Sequence, residues 1–277
     1  MAEIEKHRVK KAFSSHAEQY EALALVQKRV VDRFFELFMG HGVIPGNLLD
    51  IGSGTGRLVS TFRQHLPQMS VTGIDLAFGM LLCAKKQFAG DADIMLTCGD
   101  AETLPFKNSS FDMVVSTSTY QWLSPLGAPF AEVWRVLKPG GRFCFALFGE
   151  KTLYELRDSY SSAITLLHKC NADRTHQFAS CSDVVSALKS ASFVKIDVFD
   201  ELEVENYPDV YSLIRAVNGI GAGSAARTIA TGLAGRSVML KMMDIYRERY
   251  GMKEVVPATY QVVYGTGTKA VAEPLRG

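Results

Sequence analysis

The sequence lacks several things that would point a reader elsewhere. No apolar run approaches the ~20 residues that a membrane-crossing helix needs, so no helical span is expected. Neither sign of charge is in excess: 30 Lys and Arg against 29 Asp and Glu leave a formal net charge of +1. No overall field would then hold the chain on nucleic acid or an anionic membrane, and neither partner is expected. Cysteine is sparse. Cys83, Cys98, Cys144, Cys170 and Cys181 are odd in number, scattered and never in CxxC spacing, which reads as reduced, mostly structural thiols of a cytoplasmic protein. The six histidines, His7, His16, His41, His65, His168 and His176, fall in no ligand spacing, so no metal is expected and each reads as surface or core. There is no Ser/His/Asp signature, no internal repeat and no low-complexity stretch. The opening MAEIEKHRVKKAF has no apolar segment ahead of a small-residue cleavage site, and its mixed charges do not suit a mitochondrial presequence.

What is present is an ordinary globular composition, 47% hydrophobic and 21% charged over 277 residues. That fits one large α/β domain with insertions, or a domain with a cap. Residues 1–40 read as helical, because Leu23, Val26, Val30, Phe34 and Leu37 recur at helical steps and form one apolar stripe, and they are expected to serve as a lid. Between Asn47 and Phe148, short apolar runs (NLLDIG, SVTGID, DIMLTCG, FDMVVS, RFCFALF) alternate with helical stretches (RLVSTFRQHL, MLLCAKKQF, PFAEVWRVL). Continuous apolar strands separated by helices predict a parallel sheet covered on both faces. The KPGG of Lys138–Gly141 is read as closing the last helix and turning into the fifth strand. The core is bounded at 41–149. Residues 150–268 are read as cap helices, near Leu153–His168, Asp183–Ser190, Val210–Val217 and Leu233–Tyr250, with two final strands, FVKIDVFDELEV and TYQVVYG, completing the sheet. Residues 269–277 are read as a flexible tail.

The densest local signal is Asp50-Ile-Gly52-Ser53-Gly54-Thr-Gly56, directly after a strand and opening a helix. Glycines there let the backbone approach a ligand closely and take positive φ freely. Nucleotide dehydrogenases use a related turn with GxGxxG spacing. Here the spacing is GxGxG, with an acidic residue two positions before the first glycine. That suits S-adenosylmethionine, which brings no pyrophosphate to the helix N-terminus but an ammonium in need of a carboxylate, here Asp50. Asp75 ends the second strand in SVTGID, either as acceptor for both ribose hydroxyls or as a helix N-cap. Asp100 ends the third strand in CGDAETLPF, setting Asp100 or Ala101 beside the adenine. Leu76 and Met80 then pack on the ring faces, unless Met80 is simply core. Gln27, Ser53, Glu102 and Ser116 complete the candidate cofactor set.

DIGSGTG, GID, GDAETLPF, FDMVVS and VLKPGG, in this order and spacing, resemble the class I methyltransferase signature over Asn47 to Phe148. The resemblance implies a Rossmann-like, seven-stranded, mostly parallel sheet whose last strand, TYQVVYG, is antiparallel, with a helical cap or lid. Segments outside that body, YEALALVQKRV, STSTYQWL, FGEKTLYELRDSY, LIRAVNGIGA and PATYQVVYG, resemble the malonyl-acyl-carrier-protein O-methyltransferase family to about Thr266. That family converts the free carboxyl of a malonyl thioester to a methyl ester in biotin synthesis. Two departures stand out. Thr175-His176-Gln177-Phe178 lacks the arginine that family carries before its phenylalanine, and Asn218 replaces a Lys or Arg before the glycine of the GIGA-like segment. FGEKTLYELR, VENYPDVYSLI and VPATYQ also resemble a complex I assembly factor of the same fold that is an arginine hydroxylase.

Under the first resemblance the reaction is an in-line transfer needing orientation and water exclusion, and no general base. It leaves S-adenosyl-L-homocysteine as product and uses malonyl-acyl carrier protein or malonyl-CoA as substrate, with a monomer expected. The resemblance sets Tyr20 over the cofactor. Gln121 is read as a substrate-holding amide and Trp122 as a pocket wall or a structural aromatic. Arg215, one turn before Asn218, is either the carboxylate's cation or a solvated helix-face residue. Lys6, Arg8, Lys10, Lys11, Lys28, Arg29 and Arg33 give the N-terminal region a local basic excess, either to steer an acidic carrier or as solvated faces. Other small carboxylate or quinone-like acceptors, or an assembly factor that keeps the cofactor pocket without transfer, are the competing readings.

Overall fold

The computed structural model describes residues 6–39, 46–167, 177–221 and 233–271. Five strands, β1 (Asn47–Ile51), β2 (Ser70–Asp75), β3 (Ile94–Cys98), β4 (Phe111–Thr117) and β5 (Leu137–Phe148), run parallel. Two longer ones, β6 (Phe193–Tyr207) and β7 (Val256–Lys269), complete a single seven-stranded sheet in the order β3-β2-β1-β4-β5-β7-β6. β7 is antiparallel to both of its neighbours. The fold expected from the sequence is therefore the one observed.

Strand alternation splits the core in two. Leu48, Met113, Val115, Cys144 and Ala146 join one buried cluster; Leu49, Val114, Phe143 and Phe145, their immediate neighbours in sequence, join the other. Helices cover both sides: α3 (Arg57–His65), α4 (Phe78–Gln87) and α5 (Gly127–Val136) lie between the parallel strands. α6 (Tyr154–Leu166), α7 (Cys181–Ser190), α8 (Val210–Gly219) and α9 (Leu233–Tyr250) belong to the second half. α7 opens on a capping box between Ser180 and Asp183, and the Asp209 carboxylate accepts the Ser212 N–H at 2.7 Å to start α8.

The N-terminal stripe resolves into two helices, α1 (Lys6–Leu23) and α2 (Leu25–Met39), with the break at Ala24. Val26, Val30 and Phe34 are buried as expected, but Leu23, at the end of α1, is 39% exposed, because the bend takes it off the stripe. α1 lies on α4, where Gly79 donates its N–H to Ser14 Oγ at 3.4 Å. A Cβ at Gly79 would come within 2.4 Å of the Ser14 carbonyl oxygen, so only glycine lets the helices approach this closely. Two boundaries move. KPGG lies inside β5, where the register against β4 shifts between Phe111 and Met113 and Gly140 has φ +81°. Lys269 belongs to β7 rather than to a free tail: its buried ammonium donates to the Trp134 and Leu137 carbonyls at 2.8 and 2.7 Å. Cys83, Cys98, Cys144 and Cys181 are free thiols. Expectations placed on residues 1–5, His41, His168, Cys170, Thr175, His176, the segment after Gly221 and residues 272–277 lie outside the described residues. No described helix is long and apolar enough to cross a membrane.

Candidate active site

β1 is flanked by β2 on one side and β4 on the other, so the chain reverses its direction of travel across the sheet there. The carboxyl ends of β1–β4 open into a crevice at that point, the position where such sheets bind ligands. A cleft of about 770 Å³ is lined there by Gly52, Asp75, Met80, Asp100, Ser118 and Trp122, among others. Behind the glycine loop lies a polar recess of about 440 Å³, walled by Asp50, Ser53, Lys28 and Arg57. An apolar pocket of about 500 Å³ lies under α1 and α8, between Phe148, Leu153, Phe178, Val217, Ile220 and Tyr260. Tyr20 and Ser118 border all three spaces.

The loop holds its shape through backbone contacts. Gly52, at φ +74°, donates to the Ile74 carbonyl at 2.8 Å, and a Cβ there would lie 1.9 Å from Thr119 Oγ1. Gly56, at φ +94°, lines neither the cleft nor the recess; a Cβ would strike the Phe88 ring at 2.4 Å, so its role is to bring α3 against α4. The Asp75 carboxylate accepts Gly54 N–H at 2.8 Å and Ala77 N–H at 2.7 Å, tying the loop after β1 to the end of β2. Burial lifts its carboxyl above the ordinary value, and the two N–H donors oppose that rise.

Asp50 is 1% exposed, and its Oδ2 has no hydrogen-bond partner. Burial, helped by the charge of Asp75, pushes its carboxyl up to about 8. The Ser53 hydroxyl beside it is likewise buried and unpartnered. A buried orphan carboxylate on a recess that also carries Lys28 and Arg57 fits the ammonium and carboxylate of an amino-acid head group, and fits no pyrophosphate. Thus the residues present match S-adenosylmethionine better than a dinucleotide.

At the far end, Asp100 accepts Lys6 Nζ at 2.8 Å and Glu102 N–H at 2.9 Å. Burial would raise its carboxyl, but these donors outweigh it and hold it below the ordinary value. Lys6 also pairs with Glu102, which turns away from the cleft; thus α1 is latched across its edge. Leu76, Met80 and Ala101 line the cleft. Ser116 does not. It is fully buried and its hydroxyl donates to the Ile51 carbonyl at 2.7 Å between strands, whereas Thr117, Ser118 and Thr119 reach the cleft.

On the acceptor side, Gln121 is buried and donates from Nε2 to the Ser118 carbonyl at 2.6 Å. Trp122 meets Phe13 edge-on at 5.7 Å and walls both the cleft and the apolar pocket. Tyr120, in the same segment, is core instead, packed edge-on against Phe130 and Phe143. Gln27 borders the apolar pocket and the recess. The Tyr20 phenol is raised above its ordinary value by burial and by the charges of Glu21 and Asp75, so it stays a proton donor.

Arg215 is not brought to the site. It is exposed on α8, its guanidinium 5.9 Å from the Tyr211 ring centroid, and Asn218 is exposed too. Val217 and Ile220 turn into the apolar pocket from the same helix, and Arg215, two residues before Val217, is carried to the opposite side. Among the described lining residues of that pocket there is no Lys or Arg. The N-terminal basic excess is largely spent internally. Arg29 pairs with Glu203 and Glu205, Arg33 with Glu201 and Glu36, Lys28 with Glu21, and Lys6 with Asp100 and Glu102. Sequence reasoning missed Ser118, which has φ +54° and a buried, unpartnered hydroxyl at the junction of all three spaces. Its only sequence signal was its place in STSTYQWL. No described group of His, Cys, Asp and Glu side chains could hold a metal ion.

Residues 49–145 match a methyltransferase domain family. Among solved structures, the YcgJ protein of Bacillus subtilis superposes with a TM-score of 0.59 at 19% identity, over 86% of this chain and 99% of that one. The phosphoethanolamine N-methyltransferase 2 of Haemonchus contortus in complex with S-adenosyl-L-methionine superposes at 0.54 and 20% identity, over 86% and 52%. Both share the fold. In sequence, a malonyl-[acyl-carrier protein] O-methyltransferase of Geobacter sulfurreducens is 44% identical over 96% of this chain and 100% of its own length. One of the same name from Gallionella capsiferriformans is 33% identical over 96% and 91%. A biotin biosynthesis bifunctional protein of Teredinibacter turnerae is 34% identical over 94% of this chain and 46% of its own length. With a carboxylate-lined cleft that fits S-adenosylmethionine and relatives this similar from end to end, the chain belongs to the malonyl-acyl-carrier-protein O-methyltransferase family of class I S-adenosylmethionine-dependent methyltransferases.

Proposed function

We propose that this chain methylates the free carboxylate of a malonyl thioester, borne on an acyl carrier protein or coenzyme A, as a step of biotin synthesis in the cytoplasm, acting as a monomer. The observation that carries the reading is the junction at Tyr20 and Ser118, where a cleft and recess rich in carboxylates meet an apolar pocket whose described walls hold no cation. S-adenosylmethionine, when bound, supplies an electrophilic methyl group on a cationic sulfur. Asp50 and Ser53 would take its ammonium, Gly52 and Gly54 pack along it, Asp75 accept from its ribose, and Leu76, Met80, Asp100 and Ala101 enclose its base. Gln27 sits where head group and acceptor meet. Residues 1–40 act as the lid, with Lys6 as its latch.

The acceptor carboxylate is ionised at neutral pH, so the chain needs no general base. Its residues have two tasks. Tyr20 and Ser118 present hydroxyl donors at the junction, and Gln121, fixed by its bond to the Ser118 carbonyl, holds that segment in place. Phe13, Trp122, Phe148 and Ile220 exclude water. An apolar wall favours this chemistry because an anion becomes a neutral ester, and charge that disappears needs no solvation. A buried lysine there would pair with the nucleophile and hold it back.

The test is mass spectrometry of thioesters incubated with methyl-labelled S-adenosylmethionine. Label should enter malonyl thioester as a base-labile methyl ester and should not enter acetyl thioester. No label in any malonyl thioester would overturn the substrate while leaving the family unchanged.

A further inference from the structure

The apolar pocket has a neighbour that the proposed reaction does not use. A second cavity of about 510 Å³ lies between the α1–α2 bend (Ala22, Leu23, Leu25, Val26), α8 with its C-cap (Ala216, Val217, Ile220) and the end of β6 (Glu205, Tyr207). It shares Gln27, Val217, Ile220 and Tyr260 with the apolar pocket, so the two spaces are separated by no more than those side chains. Its outer end reaches the surface, where Leu23 and Leu25 are 39% and 52% exposed.

We propose that this side cavity is the channel by which the pantetheine-type arm of the acyl thioester reaches the apolar pocket, an inference that rests on the malonyl-thioester reading above. Such an arm is an extended, uncharged chain of methylene and methyl groups interrupted by amides. The walls match it in kind. Most are aliphatic, and the polar groups among them other than Glu205 are neutral: the Gln27 amide and the hydroxyls of Tyr207 and Tyr260, which lie 3.3 Å apart and can exchange their mutual bond for amide partners. Glu205, the one acidic lining residue, is held by the Arg29 guanidinium at 2.5 Å. The other two approaches to the junction do not match. The cleft is the place of the cofactor's adenosine, and the recess is walled by Asp50, Glu21, Lys28 and Arg57, charged groups that an uncharged chain would have to desolvate without return.

The arm, unlike the malonyl group, is felt only by substrates that have one, and that difference tests the channel. Ala22→Trp and Ala216→Trp fill it from opposite walls, and neither residue touches the cleft or the apolar pocket. Each should lower kcat/KM for malonyl-pantetheine at least tenfold. Each should leave kcat/KM for the armless S-methyl malonyl thioester, and the affinity for S-adenosylhomocysteine, within twofold of the parent. Undiminished turnover of malonyl-pantetheine in both variants overturns the channel, and so does an equal loss on both thioesters, which would mark a structural effect. A parent protein that methylates neither thioester ends the malonyl reading and not the channel. The channel is then decided by binding of S-acetylpantetheine to the S-adenosylhomocysteine complex, which both tryptophans should weaken at least tenfold, and unchanged binding overturns it.

Discussion

The two halves of the site are built differently. The half proposed for the cofactor stands on the carboxyl ends of four adjacent parallel strands, and its polar groups, Asp50, Asp75 and Asp100, lie at or within two residues of a strand's end. The acceptor half draws on α1, the segment after β4, the end of β5, α8 and β7, and its described lining carries no charged side chain. The first offers charge and hydrogen bonds at the ends of paired strands. The second offers enclosure, by segments drawn from distant parts of the chain.

That contrast predicts where substitutions should bite. The largest effect is expected from Asp75→Ala, which removes the acceptor proposed for two ribose hydroxyls and also frees the Gly54 and Ala77 N–H groups. A charged hydrogen bond is worth about 1.5–3 kcal/mol, so S-adenosylmethionine affinity should fall roughly a hundredfold in calorimetry. Unchanged affinity in a folded variant would take Asp75 out of the cofactor half.

Asp50→Asn should have a smaller effect, about tenfold on affinity, with a pH signature of its own. In the folded, ligand-free chain the Asp50 carboxyl is pushed up to about 8, whereas in the unfolded chain it titrates near 4. The folded state therefore binds the extra proton between those values, and ligand-free stability should fall as pH rises from about 4 to about 8. Asparagine has no such proton. Thermal unfolding should show Asp50→Asn gaining on the parent across that window. Pairing with an ammonium requires the carboxylate, so cofactor affinity of the parent should rise with pH up to about 8 with proton release, and the variant should lose this dependence. A parallel pair of stability curves would show that Asp50 does not titrate in that window.

The smallest effect is expected from Arg215→Ala, within twofold on kcat/KM for malonyl thioester, because Arg215 is exposed and stacked on Tyr211. A tenfold loss without change in cofactor affinity would place a cation in the acceptor half after all and break that contrast.

The same contrast decides what could be read from the sequence. The cofactor half is written in short contiguous strings, so Asp50, Gly52, Gly54, Asp75, Leu76, Met80, Asp100 and Ala101 were all legible and all line the cleft or recess. Errors there were of depth along the strand and of long-range contact. Ser116 and Ser118 lie two residues apart at the end of one strand, and apolar patterning does not say which hydroxyl clears the sheet. Gly56 looks like its loop partners but answers to the Phe88 ring, a contact between helices that no local pattern encodes. In the acceptor half the information is long-range. Choosing Arg215 required the rotation of α8 about its axis, which Val217 and Ile220 fix only by docking under α1. The basic look of the N-terminal region dissolved for a similar reason, since Glu201, Glu203 and Glu205 approach it from a strand some 170 residues later.

The chain carries only two tryptophans, and the fold gives them opposite optical duties. Trp134 lies under the Lys269 ammonium, 4.0 Å from the ring centroid, where β5 begins and β7 ends, and lines neither the cleft nor the apolar pocket. Its emission should be a constant background. Trp122 walls the cleft and the apolar pocket at once. Its emission should change whenever either space fills, so unlabelled protein reports its own occupancy, and Trp134→Phe leaves that signal as the whole of the spectrum.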